Sequence, residues 1–166
     1  MSSARQASDL GTAPAAEPSA QTDIGRRNVV WGWATIVLGV VSGAILMSWS
    51  FAGPFPTPPG FHDYADLTRR MVRLAHIAMF MLPLINIALG HDLDSLPLSS
   101  KWKQICSWCG LIGMVGVPLG LILGGLVHIW LKLVAVPGVY AFMLALGIMG
   151  VGKLKGERLR RAGRAS

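Results

Sequence analysis

Four long apolar stretches separated by short polar ones set the pattern of this chain. The first spans about 29–51, VVWGWATIVLGVVSGAILMSWSF, with no charged residue. The second opens on a basic turn (Arg69, Arg70, Arg73) and becomes apolar through LAHIAMFMLPLINIALG, giving a span over about 68–90. The third covers about 105–130, ICSWCGLIGMVGVPLGLILGGLVHIW, and the fourth about 133–152. At 1.5 Å per residue, a run of roughly 20 apolar residues crosses a hydrocarbon core of about 30 Å. The pattern predicts an all-α integral membrane protein, a bundle of four transmembrane helices.

The segments between and around the spans divide the rest of the chain. Residues 1–25 are rich in Ser, Ala, Pro, Gln and Thr, too polar to bury a core, and predict a disordered tail. Residues 26–155 form the transmembrane domain, and 156–166 a basic tail. The loop after the first span carries Pro54, Pro56, Pro58 and Pro59-Gly60, so it runs extended and then turns. Asp63 or Asp66 is placed to cap the second helix. Pro83 and Pro118 predict kinks. Pro137 reads as a first-turn proline, so the fourth helix is expected to start there and run past Lys153 into the basic tail. Gly39 and Gly43, and then Gly116, Gly120 and Gly124, give smooth faces on which helices approach closely.

Composition agrees with hydrocarbon as the solvent. The 166 residues are 52% apolar and 14% charged, against about 25% charged in soluble domains. The net charge of +7 does not point to nucleic acid, because the basic residues sit at the ends of apolar segments. Arg26, Arg27, Lys101, Lys103, Lys153, Lys155, Arg158, Arg160, Arg161 and Arg164 flank one side, and Arg69, Arg70, Arg73 and Lys132 the other. Positive charge prefers the cytoplasm, so both termini are expected inside, in the cell's inner membrane. The first 28 residues contain Arg5, Asp9, Glu17 and Asp23 and no apolar core, so no cleavable signal is expected.

Two histidines carry the first chemical hypothesis. In this topology His76 lies just inside the start of the second span and His128 near the end of the third, at similar depth. Two imidazoles on facing helices can ligate one haem iron. Arg69 and Arg73 lie seven and three residues before His76, on its helical face. With Lys132 they stand where the propionates of a b-type haem would need charge-assisted contacts. The competing reading is lipid headgroups for the arginines, an interfacial His128 and a structurally bonded His76. Arg73-x-x-His76 with Asn86 ten residues on resembles haem-bearing helices of haem–copper oxidases, over one helix and in a permissive pattern. On its own, Asn86 reads as a hydrogen-bonding link between helices, worth about 1 kcal/mol or less.

Cys106 and Cys109, the two cysteines of the chain, share a helical face. They suit a thiol redox centre, or zinc with help from His91, Asp92 or Asp94. As free cysteines they also suit plain packing, and the reducing side of the membrane favours that reading. His62-Asp63 reads as a cap or a polar contact. The spans contain no Asp or Glu, which argues against a proton-coupled transporter. No filter signature, phosphate-binding glycine loop or nucleophile–base pair is present. The sequence therefore points to a membrane subunit of an electron-transfer complex holding haem b between helices two and three. A cofactor-free accessory subunit of larger membrane neighbours and a thiol or metal oxidoreductase are the alternatives.

Overall fold

The computed structural model describes residues 23–49 and 53–164. The predicted disordered tail lies outside them except for its last three residues. The described chain is helical throughout its long elements: α1 (Ile24–Ser48), α2 (Leu67–Leu93), α3 (Ser100–Leu126) and α4 (Ala135–Arg164), with a short 3-10 segment, Ile129–Val134, before α4. All four long helices have the length and composition to cross a membrane. The protein is a multi-pass membrane protein built as an all-α four-helix bundle. Consecutive helices account for most of the packing, and α1 also touches α3.

Helix boundaries follow local chemistry. α1 begins five residues before its apolar run because the Asp23 carboxylate accepts from the Arg26 amide at 3.2 Å, an N-cap that satisfies one orphan donor. Asp66 is the N-cap residue of α2, yet its side chain makes no bond to the helix. It accepts instead from the Asp63 amide at 3.0 Å. α4 places Pro137 in its first turn and continues without a break through Lys153 to Arg164, as the sequence suggested.

One boundary differs in a way that matters. The third span was expected to run to residue 130, but α3 ends at Leu126. His128 follows in extended backbone, φ −156° and ψ 136°, and starts the 3-10 turn. The link between two antiparallel helices is short, so the chain must leave the helix before it can reverse. His128 is therefore on the connection and not on the third helix.

The bundle is arranged with small and polar groups inside and large apolar groups outside. The buried stripe of α1 is Ile24, Gly25, Asn28, Gly32, Thr35 and Gly39, while Val37 is 60% and Leu38 59% exposed. Lipid tails solvate those outward side chains, so no hydrophobic effect drives the helices together. Close van der Waals approach and interhelical hydrogen bonds do so instead. A Cβ on Gly25 would stand 2.0 Å from the Gly90 carbonyl oxygen, so α1 and α2 cross there almost backbone to backbone. The Gly116–Gly120–Gly124 groove receives Gly138, Ala135 and Lys132. These glycine faces meet other helices of the same chain.

At the terminal end, a buried polar network ties three helices. Asn28 Nδ2 donates to Asn86 Oδ1 at 2.8 Å and to the Ser107 carbonyl at 3.2 Å. Asn86 Nδ2 donates to the Asn28 carbonyl at 3.3 Å. The Ser107 hydroxyl donates to Asn28 Oδ1 and accepts from Arg27 Nε at 2.7 Å. The Arg27 guanidinium also lies 4.5 Å over the Trp108 ring. Among the described residues no buried side-chain nitrogen or oxygen lacks a partner, which is what a low-dielectric interior demands.

Candidate functional site

At the far end of the bundle, away from the termini, α2 starts with its chemistry on one face. Arg69, Arg73 and His76 fall at i, i+4 and i+7, so they project from adjacent turns of the same side. The proline-rich loop folds back over this face. Gly60 permits the reversal with φ +82°, a conformation that costs an L side chain strain. Phe61, only 6% exposed, packs edge-on to Trp49 with centroids 6.0 Å apart. Its carbonyl accepts from Arg69 Nη1 at 3.3 Å.

Tyr64 from the same loop serves both arginines. The Arg69 guanidinium lies 5.0 Å and that of Arg73 4.5 Å from its ring centroid, within cation–π range. The nearby carboxylates are occupied: Asp66 accepts from the Asp63 amide and Asp63 Oδ1 from the Ala65 amide at 3.1 Å. Among the described residues no carboxylate pairs with Arg69 or Arg73. Two positive charges thus border one site with no carboxylate partner among the described residues.

His76 is held against α1. Its ring lies over Gly43, where a Cβ would come within 2.7 Å of Cε1, and edge-on to Phe80 at 5.1 Å. Its Nδ1 is 3.0 Å from the Ser42 hydroxyl. That hydroxyl has one proton, and its short bond goes to the Gly39 carbonyl at 2.8 Å. The hydrogen-bond network therefore assigns the remaining proton to His76 Nδ1, which donates to Ser42 Oγ. Nε2 keeps its lone pair and has no hydrogen-bond partner among the described residues.

Two adjoining cavities meet at His76. One, about 330 Å³, is walled by Arg69, Arg73, Tyr64, Phe61 and Trp49. The other, about 200 Å³, runs between α1, α2 and α3 and is lined by Ile45, Val72, Met79, Ile122 and Leu126. Leu46, Trp49 and His76 border both. The larger lies within the roughly 300–1,000 Å³ range of small-molecule sites. Together they offer a cationic mouth, a bordering imidazole and an apolar floor. That arrangement suits an amphiphile with an anionic group.

The sequence-predicted residues divide. His76, Arg69 and Arg73 share the larger cavity. His128 and Lys132 line neither cavity. His128 is exposed, and its Nδ1 accepts from the Trp130 amide at 3.4 Å, capping the 3-10 turn. In that role the proton sits on Nε2, the tautomer opposite to that of His76. Lys132 packs its stem against Gly124. Ser42 was missed from the sequence, as were Tyr64 and Trp49 as walls of the site. Only the i–i+4–i+7 pattern of charges and histidine on α2 signalled the site.

The cysteine hypothesis gains nothing from the geometry. Cys106 is buried and donates its thiol to the Ala145 carbonyl at 3.3 Å. Asp92 pairs with Lys153, and Asp94 accepts from the Gly25 amide at 3.2 Å. No three metal-ligating side chains gather anywhere among the described residues. His62 is exposed on the loop.

No known protein family, curated protein or solved structure matches the chain.

Proposed function

We propose that this membrane protein is a small subunit of an electron-transfer complex of the cytoplasmic membrane and that it holds one b-type haem at His76. The observation that carries the reading is the His76 imidazole. Its Nδ1 is tied to Ser42, its Nε2 has no hydrogen-bond partner among the described residues, and the residue borders both an apolar cavity and one walled by two arginines. Metal-ligating histidines characteristically tie their other ring nitrogen to an oxygen, which sets tautomer and orientation. Arg69 and Arg73 would hold the propionates. When bound, haem would supply one-electron chemistry, with its potential set by the ligand, burial and nearby charge.

His128 takes part in this reading as the second ligand only if it releases the Trp130 amide and shifts its proton to Nδ1. The bond to be given up is long, at 3.4 Å. The excess of basic residues around the termini supports an orientation with both ends in the cytoplasm, so the site would face the opposite side. A Cβ added at Gly147 or Gly150 on α4 would meet no other part of the bundle within 4 Å. The two glycines mark a face open to a neighbouring membrane subunit.

The test is a reduced-minus-oxidised visible spectrum of the purified protein, alone and in its native membrane. The reading expects a b-type α band that disappears in His76→Ala while the variant still inserts. A flat spectrum in both preparations would overturn the haem and leave a cofactor-free subunit.

A further inference from the structure

The fourth helix does not stop where its apolar stretch stops. At Gly152 it packs against Leu96 and Leu98 of the α2–α3 connection, and it then continues for about three turns to Arg164. Those last twelve residues carry Lys153, Lys155, Arg158, Arg160, Arg161 and Arg164 and a single acid, Glu157. Lys153 pairs with Asp92 and Arg161 with Glu157. Among the described residues Lys155, Arg158, Arg160 and Arg164 pair with no carboxylate. Beside this extension lies a cleft of about 650 Å³, walled by Asp92, Leu96 and Pro97 on one side and Lys153, Leu159 and Arg160 on the other.

We infer that this basic extension and its cleft dock an acidic, partly apolar segment of a water-soluble protein. The argument against lipid headgroups is one of reach. From Lys153 to Arg164 the helix rises about 17 Å. The headgroup layer is only about 5–8 Å deep on each side. An average helix tilt of about 20° shortens that rise by less than a tenth. Headgroups meet Lys153 and Lys155, while Arg160, Arg161 and Arg164 stand clear of them in water. A nucleic acid is disfavoured by the apolar groups in the same surface. Leu154 and Leu159 are 66% and 56% exposed, the bordering Asp92 and Glu157 are already paired with Lys153 and Arg161, and no aromatic ring lines the cleft for base stacking. Arginines interleaved with exposed leucines beside a groove match an acidic peptide motif with apolar anchors.

The experiment uses the full chain in nanodiscs of phosphatidylcholine, which carry no net charge. The probe is a short synthetic peptide of Glu, Asp and Leu, with an oligonucleotide of equal charge and phosphatidylglycerol vesicles as rivals. The expected result is salt-sensitive peptide binding. It should fall at least about tenfold in the Arg160→Gln, Arg161→Gln, Arg164→Gln triple variant, as three exposed charge contacts are lost together. It should also weaken in Leu159→Ser. These positions are exposed, and elution unchanged from the parent protein checks folding. Three results would each overturn the inference. One is peptide affinity unchanged in the triple variant. Another is oligonucleotide binding as tight as the peptide's and indifferent to Leu159→Ser. The third is no peptide binding in neutral discs, and arginine-dependent association with the vesicles would then assign the extension to lipid.

Discussion

The Ser42 hydroxyl on α1 stands 3.0 Å from Nδ1 of His76 on α2. Because that hydroxyl donates its own proton to the Gly39 carbonyl, the pair fixes the imidazole tautomer as well as its position. Ser42→Ala removes the acceptor and lets the ring exchange tautomers. Nitrogen-15 spectra of the labelled imidazole should show Nδ1 protonated in the parent protein and a mixture in the variant. If His76 ligates haem, loss of this outer partner should also weaken haem retention by about 10–100-fold. A parent spectrum with the proton on Nε2 would remove the basis for ligation through that nitrogen.

Arg69 and Arg73 share one tyrosine ring and, among the described residues, pair with no carboxylate. Replacing both with glutamine removes two positive charges from the cavity wall. A cation near haem favours the reduced state, which carries one more electron. The double variant should therefore lower the midpoint potential. Coulomb's law at an effective dielectric constant near 20 and a distance near 10 Å puts the change on the order of tens of millivolts per charge. A redox titration reads it directly, and a potential that stays put or rises would place the arginines away from the cofactor.

The span number and helical class were legible because hydrocarbon imposes long uncharged runs that no local context disguises. The site was legible only in part. Arg69, Arg73 and His76 announce a shared face by spacing within one helix. Ser42 gives no such signal, since its role depends on how α1 crosses α2. His128 was misplaced on the third helix for a related reason. The apolar run continues through Val127 to Trp130, and hydropathy does not see the backbone reversal that ends α3 at Leu126. The glycine spacing correctly reported close contact but not the partner. Gly116, Gly120 and Gly124 turn out to meet the start of α4 and the residues just before it.

Asn28 and Asn86 form a reciprocal pair, each amide donating to the other residue. Asn86→Leu removes the partner and leaves the buried Asn28 amide with only the Ser107 carbonyl, at 3.2 Å, to accept from it. The expected loss is about 1–3 kcal/mol, toward the lower end if the chain in the unfolded membrane state finds substitutes. Reversible unfolding in mixed micelles measures it. A double-mutant cycle with Asn28→Leu should return a favourable coupling, and additivity of the two losses would dissolve the pair as an energetic unit.

Cys106 and Cys109 differ in access, the first buried and the second half-exposed. In the folded protein a bulky maleimide should modify Cys109 well before Cys106, with both reacting once the protein is unfolded. Cys106→Ala keeps the site small and apolar and should leave insertion and any spectrum unchanged. Loss of an electron-transfer signal in that variant would revive a role for the thiols.

Alanine scanning of glycines offers a check on the packing with its own control. A methyl group at Gly25 would meet the Gly90 carbonyl oxygen at 2.0 Å and its carbon at 2.9 Å. Both are backbone atoms, so relief requires the two helices to move apart, which also strains the nearby Asn28–Asn86 pair. Overpacking of this kind costs about 1–3 kcal/mol, and Gly25→Ala should lower the unfolding midpoint accordingly. A Cβ added at Gly147 would meet no other part of the bundle within 4 Å, and alanine is the better helix former by about 1 kcal/mol. Gly147→Ala should therefore be neutral or stabilising in the isolated protein. In the native membrane the same substitution tests for a neighbour. If a partner helix packs on this face, the added methyl group weakens co-purification with it while the isolated chain stays as stable as before. If lipid alone covers α4 there, neither property changes.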